Sequence, residues 1–252
     1  MLRPATFGVA LCAIAMSTGA QADDSWRFQL TPYLWAAGSA TEVQPRAGGP
    51  TLRSDMKFGE VLDNLDGALF LTATARYKRF VLLGDLTWVS LSNEGSITSK
   101  LAVPVTIKGD VTQTSETLAA GYSVVSQPGV TLDLVGGLRA WQIDTSVSAE
   151  ARIAPYYTLG ASTSRNLSWV DPIVGMRLNA ALSPKWSLTG YGDAGGYDGR
   201  STWQLLGTLN YRFSDRFSVS AGYRHMSIEY EDAKTRLDID MSGPLIGASL
   251  RF

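Results

Sequence analysis

Residues 242–252 constrain the fold of this chain more than any other stretch. Ile246, Ala248, Leu250 and Phe252 alternate with small or polar neighbours up to the final residue. Because successive side chains of a β-strand point to opposite faces, one face of this segment is apolar and the other is mostly small or polar. A strand of this kind that ends on an aromatic residue is typical of the closing strand of a bacterial outer-membrane barrel. We therefore expect Phe252 to serve as an assembly signal for the barrel-assembly machinery.

The N-terminal residues predict export. Residues 1–22 combine a basic Arg3, an apolar run over residues 7–16 and a small-x-small site at residues 20–22. This is the pattern of a cleaved signal peptide, and its apolar run is too short for a membrane-spanning helix. We expect a mature chain of one domain, residues 23–252, in the bacterial outer membrane, where its partners would be lipid and lipopolysaccharide.

Composition excludes several classes of function. The only cysteine, Cys12, lies in the predicted signal peptide, so no disulfide and no cysteine-based metal site is expected in the mature chain. The predicted signal peptide contains one of the 22 basic residues and none of the 23 acidic ones, so the mature chain has a net charge of −2. That charge gives no support to nucleic-acid binding. We expect neither a cofactor nor a metal.

Apolar residues recur at every second position through most of the chain, which is the period of a strand. We predict ten strands, each near the roughly 9–11 residues that a tilted strand needs to cross a bilayer. They cover residues 26–36, 68–77, 80–91, 115–125, 130–142, 168–182, 186–194, 202–213, 217–228 and 241–252.

Short and long connections alternate between these segments. The short ones are 78–79, 126–129, 183–185 and 214–216, and the long ones are 37–67, 92–114, 143–167, 195–201 and 229–240. This alternation predicts an all-β fold, a transmembrane antiparallel up-and-down barrel with periplasmic turns and extracellular loops. Closing the sheet into a barrel also gives every backbone N–H and C=O group within the lipid a hydrogen-bond partner. A secreted sandwich or lipocalin-like barrel is the alternative fold.

Several short motifs resemble those of an uncharacterised family of Gram-negative outer-membrane β-barrel proteins. The resemblance spans nearly the whole mature chain and implies fold and location, but it brings no catalytic residues. The motifs are TPYLWA (31–36), WVDPIVGMR (169–177), GDAGG (192–196), STWQ (201–204), YRF (211–213), GYR (222–224) and GPLIG (243–247), the last within the closing GPLIGASLRF.

Polar and charged side chains alternate with the lipid-facing ones, so they point into the barrel. One interpretation is an arginine-lined path that favours anions, since rings of Arg select that sign. The other is a plug of ion pairs and hydrogen bonds, which suits a barrel close to the filled eight-stranded case. We favour the plug, and with it a structural or small-solute-permeable, porin-like envelope protein. The predicted lumen-lining residues are Arg27, Tyr33, Arg76, Asp85, Asp133, Arg139, Asp171, Arg177, Asp193, Gln204, Asn210, Arg212, Arg224 and Arg251.

Three tryptophans and two long links complete the predicted lumen and surface. Trp35, Trp141 and Trp169 have the inward phase and are expected to fill the lumen. In the first long link, residues 56–65 place apolar side chains at helical spacing, which predicts either a short amphipathic helix or a loop that packs on itself. Such a helix would cap the barrel mouth or fold inward. Residues 143–167 are expected to extend two strands beyond the membrane. The chain could thus also be a surface-binding protein that acts through its loops.

One constellation raises the possibility of catalysis. His225, Ser227 and Glu229 share one face of a predicted strand and carry the base, nucleophile and carboxylate that acyl hydrolysis needs. His225 and Ser227 also resemble the His-x-Ser pair of outer-membrane lipid A deacylases, although Ile228 stands where those enzymes usually have asparagine. Same-face neighbours lie roughly 7 Å apart at Cα, so contact between them is not assured. We expect no enzyme, with His225 on the lipid face at the outer rim.

Overall fold

A computed structural model describes residues 25–44, 49–98, 104–154, 157–232 and 235–252, so the predicted signal peptide lies outside the described residues. Alternating residues form twelve strands and one short helix in the described part of the chain. In order, they are β1 (Arg27–Trp35), β2 (Gly38–Gln44), β3 (Leu52–Met56), α1 (Phe58–Asp63), β4 (Leu65–Tyr77), β5 (Phe80–Thr98), β6 (Pro104–Gln127), β7 (Val130–Ala154), β8 (Tyr157–Ala181), β9 (Trp186–Gly195), β10 (Arg200–Arg212), β11 (Phe217–Glu231) and β12 (Arg236–Arg251).

Ten of these strands close into an antiparallel barrel. β1 and β4 to β12 pair with their sequence neighbours, and β1 pairs with β12, with Gln29 opposite Arg251 and Trp35 opposite Leu245. All ten predicted strands are present, and the predicted transmembrane up-and-down barrel is confirmed. The alternative sandwich is excluded because a single sheet closes on itself. A lipocalin-like barrel does not fit the apolar outer face, where Leu118 and Val174 are 72% and 71% exposed.

The first long link holds a hairpin that the sequence did not predict. β2 continues the line of β1 along β12, with Gly38 opposite Ser242, and β3 folds back on β2. The β1–β4 ladder, however, ends at Pro32 and Leu71. Residues 65–70 therefore pair with β5 on one side, and no strand of the described chain forms a backbone ladder with their other edge.

Helix α1 lies beside this interruption in the wall. Phe58, Val61 and Leu62 line a pocket of about 120 Å³ together with Trp35 and Phe70 of the barrel interior. The predicted helix is thus confirmed, and its apolar side chains line a pocket beside the gap while Phe58 and Leu62 stay 42% and 54% exposed. Within the described residues, no helix is long and apolar enough to cross a membrane.

Four strands are much longer than a bilayer requires. β7 and β8 have 25 residues each and pair from Val130–Ala180 to Ala154–Tyr157, so the predicted extension over the link 143–167 is confirmed. β5 and β6 extend in the same way. In this extension Lys108 lies 3.0 Å from Glu94, and that hydrogen bond raises the pKa of the Lys108 ammonium group.

Aromatic side chains surround the short-turn end of the barrel. Trp26 stacks on Tyr77, Trp186 contacts Tyr211, and Phe213 contacts Phe217. Rings with a polar edge favour the interface between hydrocarbon and water, so these contacts mark a girdle at that end. By the rule that turns are short on the periplasmic side, this is the periplasmic end.

Candidate functional site: the barrel lumen

The inward side chains change in character along the barrel axis. On β1, the inward row runs from Arg27 through Gln29, Thr31 and Tyr33 to Trp35. Other strands also place polar groups and buried ion pairs below an apolar layer at the extracellular end, although a second, smaller apolar cluster of Val81, Ala119 and Val135 lies nearer the short turns. The lumen therefore consists of stacked layers of different chemistry.

One ion-pair cluster joins opposite walls of the lumen. Arg224 of β11 donates to Asp85 of β5 at 2.9 Å and to the hydroxyl oxygen of Tyr33 at 2.5 Å. Thr72 and the Tyr33 hydroxyl also donate to Asp85. The Arg224 guanidinium lies 4.9 Å from the centre of the Trp35 ring, so it is held between the ion-pair layer and the apolar layer. The cluster thus links β1, β4, β5 and β11 across the lumen.

A second cluster lies next to the first and is fully enclosed. Arg139 of β7 donates to Asp193 of β9 at 2.7 Å, and both side chains are shielded from solvent. The same guanidinium donates to Thr117 and Thr202, and Gln204 donates to Asp193 at 2.7 Å. A buried guanidinium needs such an array of acceptors, because an unpaired buried charge is very costly.

Two further aspartates have other surroundings. Asp133 accepts from Arg76 at 2.5 Å and from Ser123 at 2.6 Å, nearer the periplasmic mouth. Asp171 accepts from the indole of Trp169 at 2.8 Å and lies 3.5 Å from Arg200. The acidic members of the predicted lumen set therefore all have partners.

Above the ion pairs, an apolar layer fills the extracellular end of the lumen. Trp141 and Trp169 stack with their rings 6.2 Å apart, and Trp35 contacts Phe70. The three tryptophans with inward phase are thus buried in the lumen, as predicted. The rest of the buried layer comes from several strands: Ile143, Met226, Ile228, Leu237, Ile239 and Leu245.

The remaining predicted lumen residues lie between the ion pairs and the periplasmic mouth. Asn210 donates to the backbone oxygen of Ser187 and to Thr189. It lines a cavity of about 120 Å³ with Arg177 and other polar side chains. Arg27, Arg212 and Arg251 lie at the mouth itself, where Arg251 donates to Gln29 at 3.1 Å. No carboxylate of the described chain forms a salt bridge with these three or with Arg177.

Sequence reasoning missed several members of the lumen network. Arg200 lies in a predicted long link, yet in the structure it begins β10 and lies 3.5 Å from Asp171. Thr117 and Thr202 are buried acceptors for Arg139. Their inward phase was available from the alternation, but hydroxyl side chains were not counted as lumen groups.

His225 lies on the outer face, beside an aromatic ring. Its imidazole packs 4.7 Å from the ring of Trp203, and its Nε2 atom is 3.9 Å from Asp240 of β12. The predicted partner Glu229 instead accepts a hydrogen bond from Ser201 at 3.0 Å. The carboxylate beside His225 is thus Asp240 and not Glu229, because neighbouring strands approach more closely than same-face positions along one strand. No hydrogen bond joins Ser227 to His225 in the described part of the chain.

Comparison with known proteins supports the fold. No protein-family model and no curated protein sequence matches this chain. The solved structure of the outer membrane protease OmpT from Escherichia coli is similar, with a TM-score of 0.57 at 8% identity over 91% of this chain and 97% of that chain. The translocator domain of the autotransporter NalP from Neisseria meningitidis matches with a TM-score of 0.47 at 16% identity, over 90% of this chain and 88% of that chain.

These likenesses concern the arrangement of the strands alone. At 8% identity, the likeness to OmpT shows the fold alone, and the Neisserial surface protein A, with a TM-score of 0.29, adds nothing to it. They therefore assign no activity to this chain. The chain has the fold of a bacterial outer-membrane β-barrel, with a lumen that buries charged residues.

Proposed function

We propose that this protein is a structural component of the outer membrane whose lumen is closed to ions. The observation that carries the proposal is the pair of consecutive layers across the lumen. The first layer contains the ion pairs of Arg224 and Arg139, and the second contains the stacked Trp141 and Trp169. An ion that crossed would have to break buried ion pairs and then enter an apolar constriction, and such constrictions exclude water.

Recording from planar bilayers tests this proposal. We expect the folded full-length protein to cause no stepwise increase in the conductance of the bilayer at roughly 1 M salt. An open porin inserted in the same way produces such increases. Insertion is checked by the altered mobility of the unboiled protein on a denaturing gel. Steps of conductance from the unaltered protein would contradict the closed lumen, and uptake of small sugars by vesicles that carry it would do the same.

A lipid-modifying enzyme is the second candidate. It is favoured by one observation, the approach of Asp240 to His225 on the outer face, with Ser227 directly opposite Asp240 in the β11–β12 ladder. Base, nucleophile and carboxylate thus lie on one patch of the barrel exterior. Against it, Ser227 is largely buried, with 8% exposure, and the imidazole packs on Trp203. We rank this candidate below the structural role.

A further inference from the structure

The periplasmic mouth concentrates positive charge in a chain that is nearly neutral. The whole sequence has 22 basic and 23 acidic residues, yet a cavity of about 520 Å³ at this mouth is lined by Arg27, Arg76, Arg177, Arg216 and Arg251. Arg212 lines the adjoining cavity, which also contains Arg251. We call these six arginines and their cavity the basic vestibule.

Carboxylates offset only part of this charge. Asp215 lines the vestibule, and Asp133 forms a salt bridge with Arg76 and lies opposite Arg177 in the β7–β8 ladder. Among the described residues, these two carboxylates thus face six guanidinium groups. Of the six, only Arg76 forms a salt bridge in the described part of the chain.

The strand register places like charges against each other in the vestibule. Arg27 lies directly opposite Arg76 in the β1–β4 ladder, and like charges in that position are destabilising. Arg177 lies opposite Asp133, but its one hydrogen bond within the described chain is a long one, to Thr74 at 3.4 Å, and Arg251 donates to the neutral Gln29. These guanidinium groups therefore retain donors that no acceptor of the described chain takes up, in a cavity of the size that small ligands occupy, about 300–1,000 Å³.

From this geometry we infer that the basic vestibule binds a multivalent phosphate-bearing anion from the periplasmic solution. Guanidinium groups suit this ligand because their planar donors form paired hydrogen bonds with phosphate oxygens. Several negative charges on one ligand would offset the repulsion among the arginines. The walls of the barrel would limit its access to the aqueous side, since the closed layers of the lumen lie beyond.

Calorimetric titration with tripolyphosphate tests the inference on the folded full-length protein in an uncharged detergent. We expect saturable binding with one site per chain, and at least tenfold weaker binding by the double variant Arg177→Gln/Arg251→Gln. The control Arg236→Gln removes an exposed arginine at the opposite end, and its affinity should equal that of the unaltered protein. Binding should also weaken as salt rises, because the interaction is between charges.

Two results would overturn the inference. One is the absence of saturable binding by the unaltered protein in low salt. The other is equal affinity of the unaltered protein and the double variant, provided that both show the altered gel mobility of a folded barrel. Lipid headgroups carry the same chemistry, so the titration is repeated in nanodiscs that contain phosphatidylglycerol or an equal amount of an anionic lipid with a carboxylate in place of the phosphate. The two surfaces repel the probe equally, so we expect equal affinity in both. Loss of binding in the phosphatidylglycerol discs alone would overturn the soluble ligand in favour of a lipid phosphate.

Discussion

Arg139 and Asp193 form a salt bridge of 2.7 Å between β7 and β9, and neither side chain is exposed to solvent. The pair lies between two walls of the lumen, where water cannot replace either partner. Asp193 also accepts from Gln204, so its loss would leave two donors without an acceptor. Breaking a buried pair from one side is much more destabilising than its net contribution to stability would suggest.

We therefore predict that Asp193→Ala lowers the free energy of unfolding by about 3–5 kcal/mol. The measurement is the temperature at which the folded band is lost on a denaturing gel, or urea unfolding in lipid vesicles. Glu94→Gln is the matched control, because its salt bridge with Lys108 is exposed at both ends and such pairs contribute at most about 1 kcal/mol. An Asp193→Ala variant as stable as the control would show that water reaches this layer and that the lumen is not closed.

A second prediction concerns two glycines on adjacent strands. A Cβ atom at Gly222 would collide with the backbone oxygen of Gly207 and lie 2.8 Å from the Cα of Thr208, whereas at Gly207 it would meet nothing within 4 Å. We expect Gly222→Ala to destabilise the barrel by about 1–3 kcal/mol, as overpacking does, and Gly207→Ala to have little effect. Urea unfolding of both variants in vesicles measures the difference. Equal stabilities would mean that β10 and β11 can separate without cost.

A third prediction concerns the interruption in the barrel wall. Residues 66–70 of β4 have a strand neighbour only on the β5 side, while residues 72–76 pair with both β1 and β5. Backbone amides without a ladder partner open more readily, so residues 66–70 should exchange hydrogen for deuterium faster than residues 72–76. Mass spectrometry of peptides from the folded protein measures this. Equal protection of the two halves would indicate that α1 and the β2–β3 hairpin seal the gap.

How far sequence reasoning reached can be judged from particular contacts. Period-2 alternation set the phase of every strand, and the phase alone placed Arg139 and Asp193 in the lumen. It could not choose partners: Arg224 and Asp85 are 139 positions apart, and their contact depends on the diameter and register of the closed barrel. The β2–β3 hairpin was missed because its strands are short and mostly polar, so they lack the apolar alternation on which the prediction relied.

The same reasoning explains the division of the predicted lumen set. The sequence grouped Arg177 and Arg251 with Arg139, since all three have the inward phase. Depth alone does not decide their pairing, because Asp133 lies opposite Arg177 in the β7–β8 ladder and yet forms its salt bridge with Arg76. Phase therefore predicts the face of a side chain, while contacts across the closed barrel decide whether it is paired.

The last prediction concerns chemistry on the outer face. His225→Ala removes the only histidine and with it the natural general base near neutral pH. We expect the lipid A of cells that express this variant to equal that of cells with the unaltered protein, as judged by mass spectrometry. The imidazole packs on Trp203 and is 3.9 Å from Asp240, which suits a residue of the interfacial girdle. The variants Ser227→Ala and Asp240→Asn should likewise leave the lipid A of the cells unchanged. Loss of an acyl chain that depends on all three side chains would instead make the lipid-modifying enzyme the leading function, since only catalysis requires His225, Ser227 and Asp240 together.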